Sequence, residues 1–306
     1  MKLFKYLQKT NKLNKDPLLN NIIDENLTLV DISDTKVSHE ILQQIYSLRK
    51  NFSKIKINPK ETPLSIIVPY RNRENHLKKF IPHISEQLKN VEFEILVIEQ
   101  ANNQPFNIGI LRNYGAFIAK HEQLVHHDID FLSENTDYSG CNYPLRLLTK
   151  IKTNGENFLP NSVESSDNKE RVKNSYFSGV ISIQRTHHLL TNGFPNNYFG
   201  WGEEDNEFFL RCLKIGLTPL FLNNGEFTAL PHVSNGDNKS DGNDYEIKKK
   251  LRINNGELFR KSRKGIIEYW ESGMNNLEEL TKLVNQEYRH VDSCKYNHIQ
   301  IDFNFK

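Results

Sequence analysis

The sequence predicts an α/β protein with a Rossmann-like, mostly parallel sheet flanked by helices. Three observations predict it. The first is LSIIVP, Leu64 to Pro69, a continuous apolar and β-branched run followed by a polar loop and a helical pattern from about His76 to Lys89. The second repeats that unit: FEILVIEQ from Phe93, then the loop ANNQPFN, then a helix over Ile110 to Lys120. The third is YFSGVISIQ, Tyr176 to Gln184, a further uninterrupted run of the kind a strand covered on both faces shows. Alternating β and α units of this length build a doubly wound sheet, whose ligands lie at the carboxyl ends of its strands.

Composition narrows the class. The chain has 306 residues, 37% of them hydrophobic and 25% charged, enough for a real core in one large or two small domains. A formal net charge of +2 provides no strongly basic field, so nucleic acid is not an expected partner. Cys141, Cys212 and Cys294 are odd in number and lack CxxC spacing, which points to reduced structural thiols. No apolar run reaches the roughly 18 residues a membrane span needs, and the start lacks a signal-peptide core, so a cytoplasmic location is expected.

Residues 1–60 read as an accessory helical segment ahead of a catalytic domain over 61–306. Its best pattern is Ser38 to Lys50, with Ile41, Leu42, Ile45 and Leu48 at helical spacing. Leu3, Phe4 and Leu7 among lysines would suit peripheral contact with the inner face of an anionic membrane; an ordinary packed helix is the plainer alternative.

After the first strand, the loop YRNREN carries Arg71 and Arg73, two guanidinium groups placed to clamp a diphosphate by charge-assisted bonds. Solvated loop arginines are the alternative. A third strand, Gln123 to His126, runs into HHDIDFLSE, where Asp128 and Asp130 flank one apolar residue and project to the same side. Two hard oxygen donors at a strand end suit a divalent cation bridging phosphates, although D-x-D also occurs by chance in many loops.

Ser133 to Asn174 is a polar excursion beside the sheet, and Thr186 to Thr191 a short helix. Leu217 to Leu222 and Glu226 to Leu230 read as short strands, the second ending at His232, a candidate metal ligand that by itself is as readily a structural histidine. VSNGDNKSDGND, residues 233–244, cannot pack and reads as a surface lid loop. Helices over Tyr245 to Arg263 and Ile266 to Glu271 follow, and YNHIQIDFNF closes the chain as an alternating strand with Ile299, Ile301 and Phe303 on one face.

The densest chemistry is GFPNNYFGWGEEDNEFFLR, Gly193 to Arg211. Gly200, Trp201 and Gly202 form a turn bearing one large aromatic, a platform for a sugar face. The acidic run Glu203, Glu204, Asp205 opens a helix with Phe208, Phe209, Leu210 and Leu213 available for burial. Carboxylates beside an aromatic face can orient and deprotonate a carbohydrate hydroxyl. The same carboxylates also complement a helix dipole, so a well-capped helix start is the competing explanation.

Taken in order, VPYRNRENHL, the FN of QPFNIGILRNYGAF, DID, YFSGVISI, NGFPNNYFGWGEEDNEFF and ALPH resemble the β-1,4-galactosyltransferase family and its bacterial relatives, including the chondroitin-polymerase type. The resemblance runs from about Leu64 to the C-terminus, where GMNNLEELTKLV and IQIDF also match. It implies a GT-A fold, a UDP-sugar donor, a glycan or glycolipid acceptor, Mn2+ and inversion at the anomeric carbon. By position it implies that Pro69, Arg71, Arg73, Phe106, Asp128 and Tyr176 serve the donor, Tyr176 favouring galactose, and that Asp130 and His232 hold the metal. Trp201, Gly202, Glu204 and Asp205 would take the acceptor, with Asp205 as base.

Three positions depart from the family pattern. Ala229 replaces a methionine metal ligand, Ile108 replaces an arginine that Arg112 would have to substitute at the phosphates, and Glu203 replaces the second glycine of GWGGED. The expected activity is transfer of galactose, in β-1,4 linkage, in bacterial surface polysaccharide or lipooligosaccharide synthesis. An N-acetylgalactosaminyl- or glucuronosyltransferase of capsule synthesis is the enzymatic alternative. A carbohydrate-binding module without catalysis is the alternative from another class.

Overall fold

The computed structural model describes residues 62–304 apart from 135, 139, 141–142, 154–155, 159–176, 218, 223–224, 232–241 and 266–270. The expected accessory segment 1–60, Tyr176, His232, most of the lid loop and the helix over Ile266 to Glu271 lie outside the described residues. Among the described residues no helix is long and apolar enough to cross a membrane.

The first three strands, β1 (Leu64–Tyr70), β2 (Phe93–Gln100) and β3 (Gln123–His127), alternate with α1 (Glu74–Gln87) and α2 (Ile108–Ile118). All seven residues of β1 are buried because it is the middle strand, paired in parallel to β2 on one side and β3 on the other. Its side chains alternate between two cores. Ile66 and Val68 pack with Leu77, Phe80, Ile81 and Ile84 of α1, while Ile67 faces Ile110, Leu111 and Ala116 of α2. The α2 contact is close enough to require glycine: a Cβ on Gly115 would lie 2.3 Å from Ile67 Cγ2.

Further along come β4 (Phe131–Ser133), β5 (Leu145–Arg146), β6 (Lys150–Thr153), β7 (Glu156–Phe158), β8 (Val180–Gln184) and α3 (Arg185–Leu190). After these stand α4 (Glu204–Lys214), β9 (Leu220–Phe221), β10 (Glu226–Ala229) and α5 (Gly242–Arg263). A 3-10 turn (Met274–Asn276), α6 (Leu277–Leu280), β11 (Thr281–Val291) and β12 (Cys294–Phe303) complete the chain. The main sheet runs β11-β12-β2-β1-β3-β8-β5-β9, and a smaller one runs β4-β10-β6-β7.

The α/β class is as expected, with the parallel part of the main sheet confined to β12-β2-β1-β3 and the β5-β9 pair. β8 returns antiparallel to β3, and β11 antiparallel to β12. The polar excursion is richer than expected: β5 joins the main sheet, and β6 pairs in parallel with β10. β11 was not expected, because TKLVNQEYRHV is exposed along nearly its whole length and so shows no apolar alternation. The closing strand keeps its expected face, with Ile299, Ile301 and Phe303 all buried.

Candidate functional site

The carboxyl ends of the parallel strands place the candidate residues. β3 ends at His127, and the chain turns through Asp128, Ile129 and Asp130 with the Phe131 amide donating to the Asp128 carbonyl at 3.3 Å. Ile129 is buried and both aspartates are half-buried, so the alternation expected of D-x-D survives although Asp130 sits in a turn. The Leu230 amide donates to the Asp130 carbonyl at 2.7 Å, and Ala229 pairs with Phe131. Ala229 and Leu230 are therefore docked beside Asp130, with Ala229 supplying no donor atom.

At the end of the neighbouring strand, Pro69 is a buried residue of β1 just before its last residue, Tyr70, and Arg71 follows half-buried. Arg71 Nη1 donates to the Gln104 carbonyl at 2.7 Å, and its guanidinium lies 5.2 Å from the Phe106 ring centroid. Burial lowers the Arg71 pKa, the mark of a cation held in a partly dry slot. Arg73 instead caps α1: its carbonyl accepts the amides of His76 and Leu77. Arg71 and Phe106 are thus brought together, and Arg73 stands one residue beyond the left-handed Asn72 at the loop's end.

The Gly193–Arg211 stretch is held against α2 by buried amides. Asn107 caps α2 by accepting from the Ile110 amide at 3.0 Å, and its Nδ2 donates to the Asn196 carbonyl at 2.7 Å. Asn113 accepts from the Phe194 amide at 2.8 Å and donates both to the Phe194 carbonyl at 2.7 Å and to Asn196 Oδ1 at 2.8 Å. Asn196 in turn donates to the Gly273 carbonyl at 2.7 Å and to Asn276 at 2.9 Å. Buried amides that satisfy one another in this way fix a loop as firmly as a sheet fixes a strand. Sequence reasoning missed this network, although the cluster of asparagines in NGFPNN and GMNN was its signal.

The same stretch anchors α4. Arg211 donates to Glu207 Oε1 at 2.6 Å and to the Gly193 carbonyl at 3.0 Å, and the Tyr198 hydroxyl donates to Glu207. Phe208 and Phe209 are buried as expected, with Phe208 stacked on Phe194 at 3.9 Å, while Leu210 and Leu213 are only half-buried. The first turn of α4 therefore carries a fixed pair of carboxylates, Glu204 and Asp205; each keeps only 9% of its surface exposed. Trp201, before them, is 68% exposed and presents a ring backed by Arg252 of α5, whose guanidinium lies 4.6 Å from its centroid. Asn255 of α5 also holds the Phe199 carbonyl at 2.9 Å. Glu203 adopts φ 75°, ψ −13°, the left-handed conformation that a glycine occupies without strain.

Electrostatics join these elements. Burial raises the pKa values of Asp128, Glu204 and Asp205; Asp205 also raises Glu204, and the guanidinium of Arg112 opposes the rise in all three. Arg112 is fully buried in α2, and its Nη2 donates to Asp128 Oδ1 at 2.7 Å. It therefore does not replace the arginine missing at Ile108 as an exposed phosphate contact, because it is sealed behind Asp128. A cation in the otherwise apolar face of IGILRNYGAFIA was its sequence signal. Among the described residues no three His, Cys, Asp or Glu side chains form a ready cation cage.

Comparison with known proteins agrees with the fold and with the order of the motifs. A model described as the N-terminal region of glycosyl transferase group 7 matches residues 26–142, and one described as the N-terminal domain of galactosyltransferase matches residues 161–233. The fold is GT-A, and the chain belongs to the glycosyl transferase group 7 family. The match begins at residue 26, well ahead of Leu64, where the resemblance was expected to start.

Among relatives, human β-1,4-galactosyltransferase 4 is 31% identical over 213 residues, 65% of this chain and 58% of that protein. A β-1,4-N-acetylglucosaminyltransferase of Lymnaea stagnalis is 34% identical over 184 residues, 56% of this chain and 35% of that protein. This chain thus spans about half the length of the curated relatives it matches. A crystallised variant of Drosophila β-1,4-galactosyltransferase 7, in complex with manganese, UDP-Gal and xylobiose, has a TM-score of 0.57 at 22% identity, covering 80% of this chain and 95% of that one.

Proposed function

We propose that this chain is an inverting galactosyltransferase that moves galactose from UDP-galactose to a glycan or glycolipid acceptor, in β-1,4 linkage. The observation that carries the reading is the pairing of the buried Arg112 with Asp128 at the carboxyl end of β3, together with the buried carboxylates Glu204 and Asp205, which feel the Arg112 charge and follow the exposed ring of Trp201 in the chain. Arg71 and Phe106, with Pro69 and Arg73 beside them, form the donor side. Trp201 and Gly202 cover the acceptor, and Glu204 orients it.

Asp205 accepts the proton of the acceptor hydroxyl while that oxygen bonds to the anomeric carbon and the bond to the diphosphate breaks. No covalent enzyme intermediate is needed. The hard oxygens of Asp130, with Leu230 docked beside it, suit manganese, which Asp130 and His232 would hold. Bound there, Mn2+ would neutralise charge on the leaving diphosphate. A product in surface polysaccharide or lipooligosaccharide synthesis belongs to the same proposal, and the resemblance of the motifs to bacterial relatives supports it.

The Lymnaea relative motivates a second reading in which the donor is an N-acetylhexosamine. Both are tested by incubating the protein and Mn2+ with UDP-galactose, UDP-N-acetylglucosamine, UDP-N-acetylgalactosamine and UDP-glucuronic acid over a panel of sugar acceptors, read by mass spectrometry. Transfer of galactose ahead of the other sugars is expected. Preference for an acetamido sugar supports the second reading. Heat stabilisation by UDP without turnover on any donor would leave a binding module.

A further inference from the structure

We propose that Arg112 is a positioning residue of this site: it clamps Asp128 in one orientation and supplies the buried positive charge against which Glu204 and Asp205 are set. The inference rests on the transferase reading for the meaning of the site, but the geometry of the Arg112–Asp128 pair stands alone. Arg112 has no exposed surface, and its guanidinium lies 4.8 Å from the Phe194 ring centroid, so an aromatic wall limits its conformers. One of its nitrogens donates to Asp128 at 2.7 Å, while Nε and Nη1 have no hydrogen-bond partner among the described residues. A structural ion pair alone would leave such a donor-rich group badly satisfied, at a cost a core ordinarily avoids.

Asp128 is fixed from its backbone as well. Its amide donates to the Gly179 carbonyl at 2.9 Å, and its carbonyl lies 2.9 Å from His127 Nδ1. With the side chain clamped by Arg112, Asp128 is committed, and the two aspartates of DID differ in their bonds: the Asp128 carboxylate is spent on the guanidinium, while the Asp130 carbonyl accepts the Leu230 amide. The charge of the same guanidinium favours the ionised forms of the buried Glu204 and Asp205, against the charges of Asp205 and Asp128 on Glu204 and of Glu203 on Asp205. A positive charge held behind several carboxylates in a low-dielectric site acts on all of them at once.

Arg112→Met, Asp128→Asn and the double variant separate this role from that of a plain ion pair. Arg112→Met strands a buried carboxylate and should lower the melting temperature by on the order of 10 °C. The double variant removes both charges and should recover most of that loss. Its Glu204 and Asp205 carboxyl carbon-13 shifts, followed against pH on protein without donor, should nevertheless titrate higher than in the wild type, because the lost Arg112 charge outweighs the lost Asp128 charge at Glu204. Arg112→Lys retains the charge and should keep both titrations near their wild-type positions, an arm that serves even if the double variant does not fold. Unmoved titrations in the double variant, or a Lys variant that shifts them as far as Met, would overturn the proposal. Shifted titrations in a protein that transfers no sugar would uphold it and count against the transferase reading alone.

Discussion

The Gly200 amide donates to the Phe106 carbonyl at 2.7 Å, tying the loop after β2 to the turn that carries Trp201. In the proposed function Phe106 serves the donor and Trp201 the acceptor, so one backbone bond would couple the two halves of the site. Gly200 makes it at φ +74°, and a Cβ there would lie 3.3 Å from Leu251 Cδ1 of α5. Gly200→Ala should therefore cost about 1–2 kcal/mol in a urea titration. It should also raise KM for the acceptor more than for the donor. Unchanged stability would show that the turn relaxes without its glycine.

Asp205 carries the chemistry in the proposed mechanism. Burial, with Glu203 adding to it, raises its pKa to about 6, so the base form is reached only as pH climbs through that value. Turnover should rise over that interval. The sign for stability is opposite: a carboxyl whose folded pKa is raised stabilises the fold below about pH 4 and loses that contribution as pH rises through about 6. Asp205→Asn should lower turnover by about 100-fold or more with little change in donor affinity, measured by initial rates and by UDP binding. Retention of a tenth of the wild-type rate would transfer the role to Glu204.

Glu203 provides a test of backbone strain with a clean control. Glu203→Gly and Glu203→Ala both remove the carboxylate and its 2.8 Å bond from Asn206 Nδ2, but only glycine is at ease at φ 75°. The Gly variant should be the more stable of the two by about 1 kcal/mol by chemical denaturation. Equal stabilities would mean that α4 tolerates a different entry geometry.

His126 and His188 form a buried pair, Nε2 to Nδ1 at 3.3 Å, and His188 Nε2 reaches Asn113 Oδ1 at 3.0 Å. Burial holds the His188 pKa down to about 3, with Arg211 and Arg112 adding to the effect. A base kept neutral in the fold takes up its proton on unfolding, so its contribution to stability is complete above about pH 6.5 and is lost as pH falls toward 3. Each such histidine steepens the acid limb by up to about 1.4 kcal/mol per pH unit. His188→Gln should flatten that limb when urea midpoints are compared between pH 7 and pH 5. An unaltered slope would place the pH dependence elsewhere, in His127 or the carboxylates.

Much of this molecule is legible without coordinates, and the reason is periodicity. LSIIVP and FEILVIEQ are buried on both faces, so their apolar runs declare both the strands and the parallel sheet. The order of DID, GWGEED and ALPH likewise declares the family. The sequence leaves β11 unreadable, because an edge strand open to solvent carries no burial pattern, and it leaves the excursion before β8 without a topology. It also leaves the place of Arg112 open. A cation 16 residues from Asp128 along the chain says nothing of a 2.7 Å bond until α2 packs against the end of β3. Local pattern, set by which faces are buried, determined the elements and the motifs. Long-range packing, in which asparagines 80 or more residues apart satisfy one another, decided which carboxylates meet and what charge lies behind them.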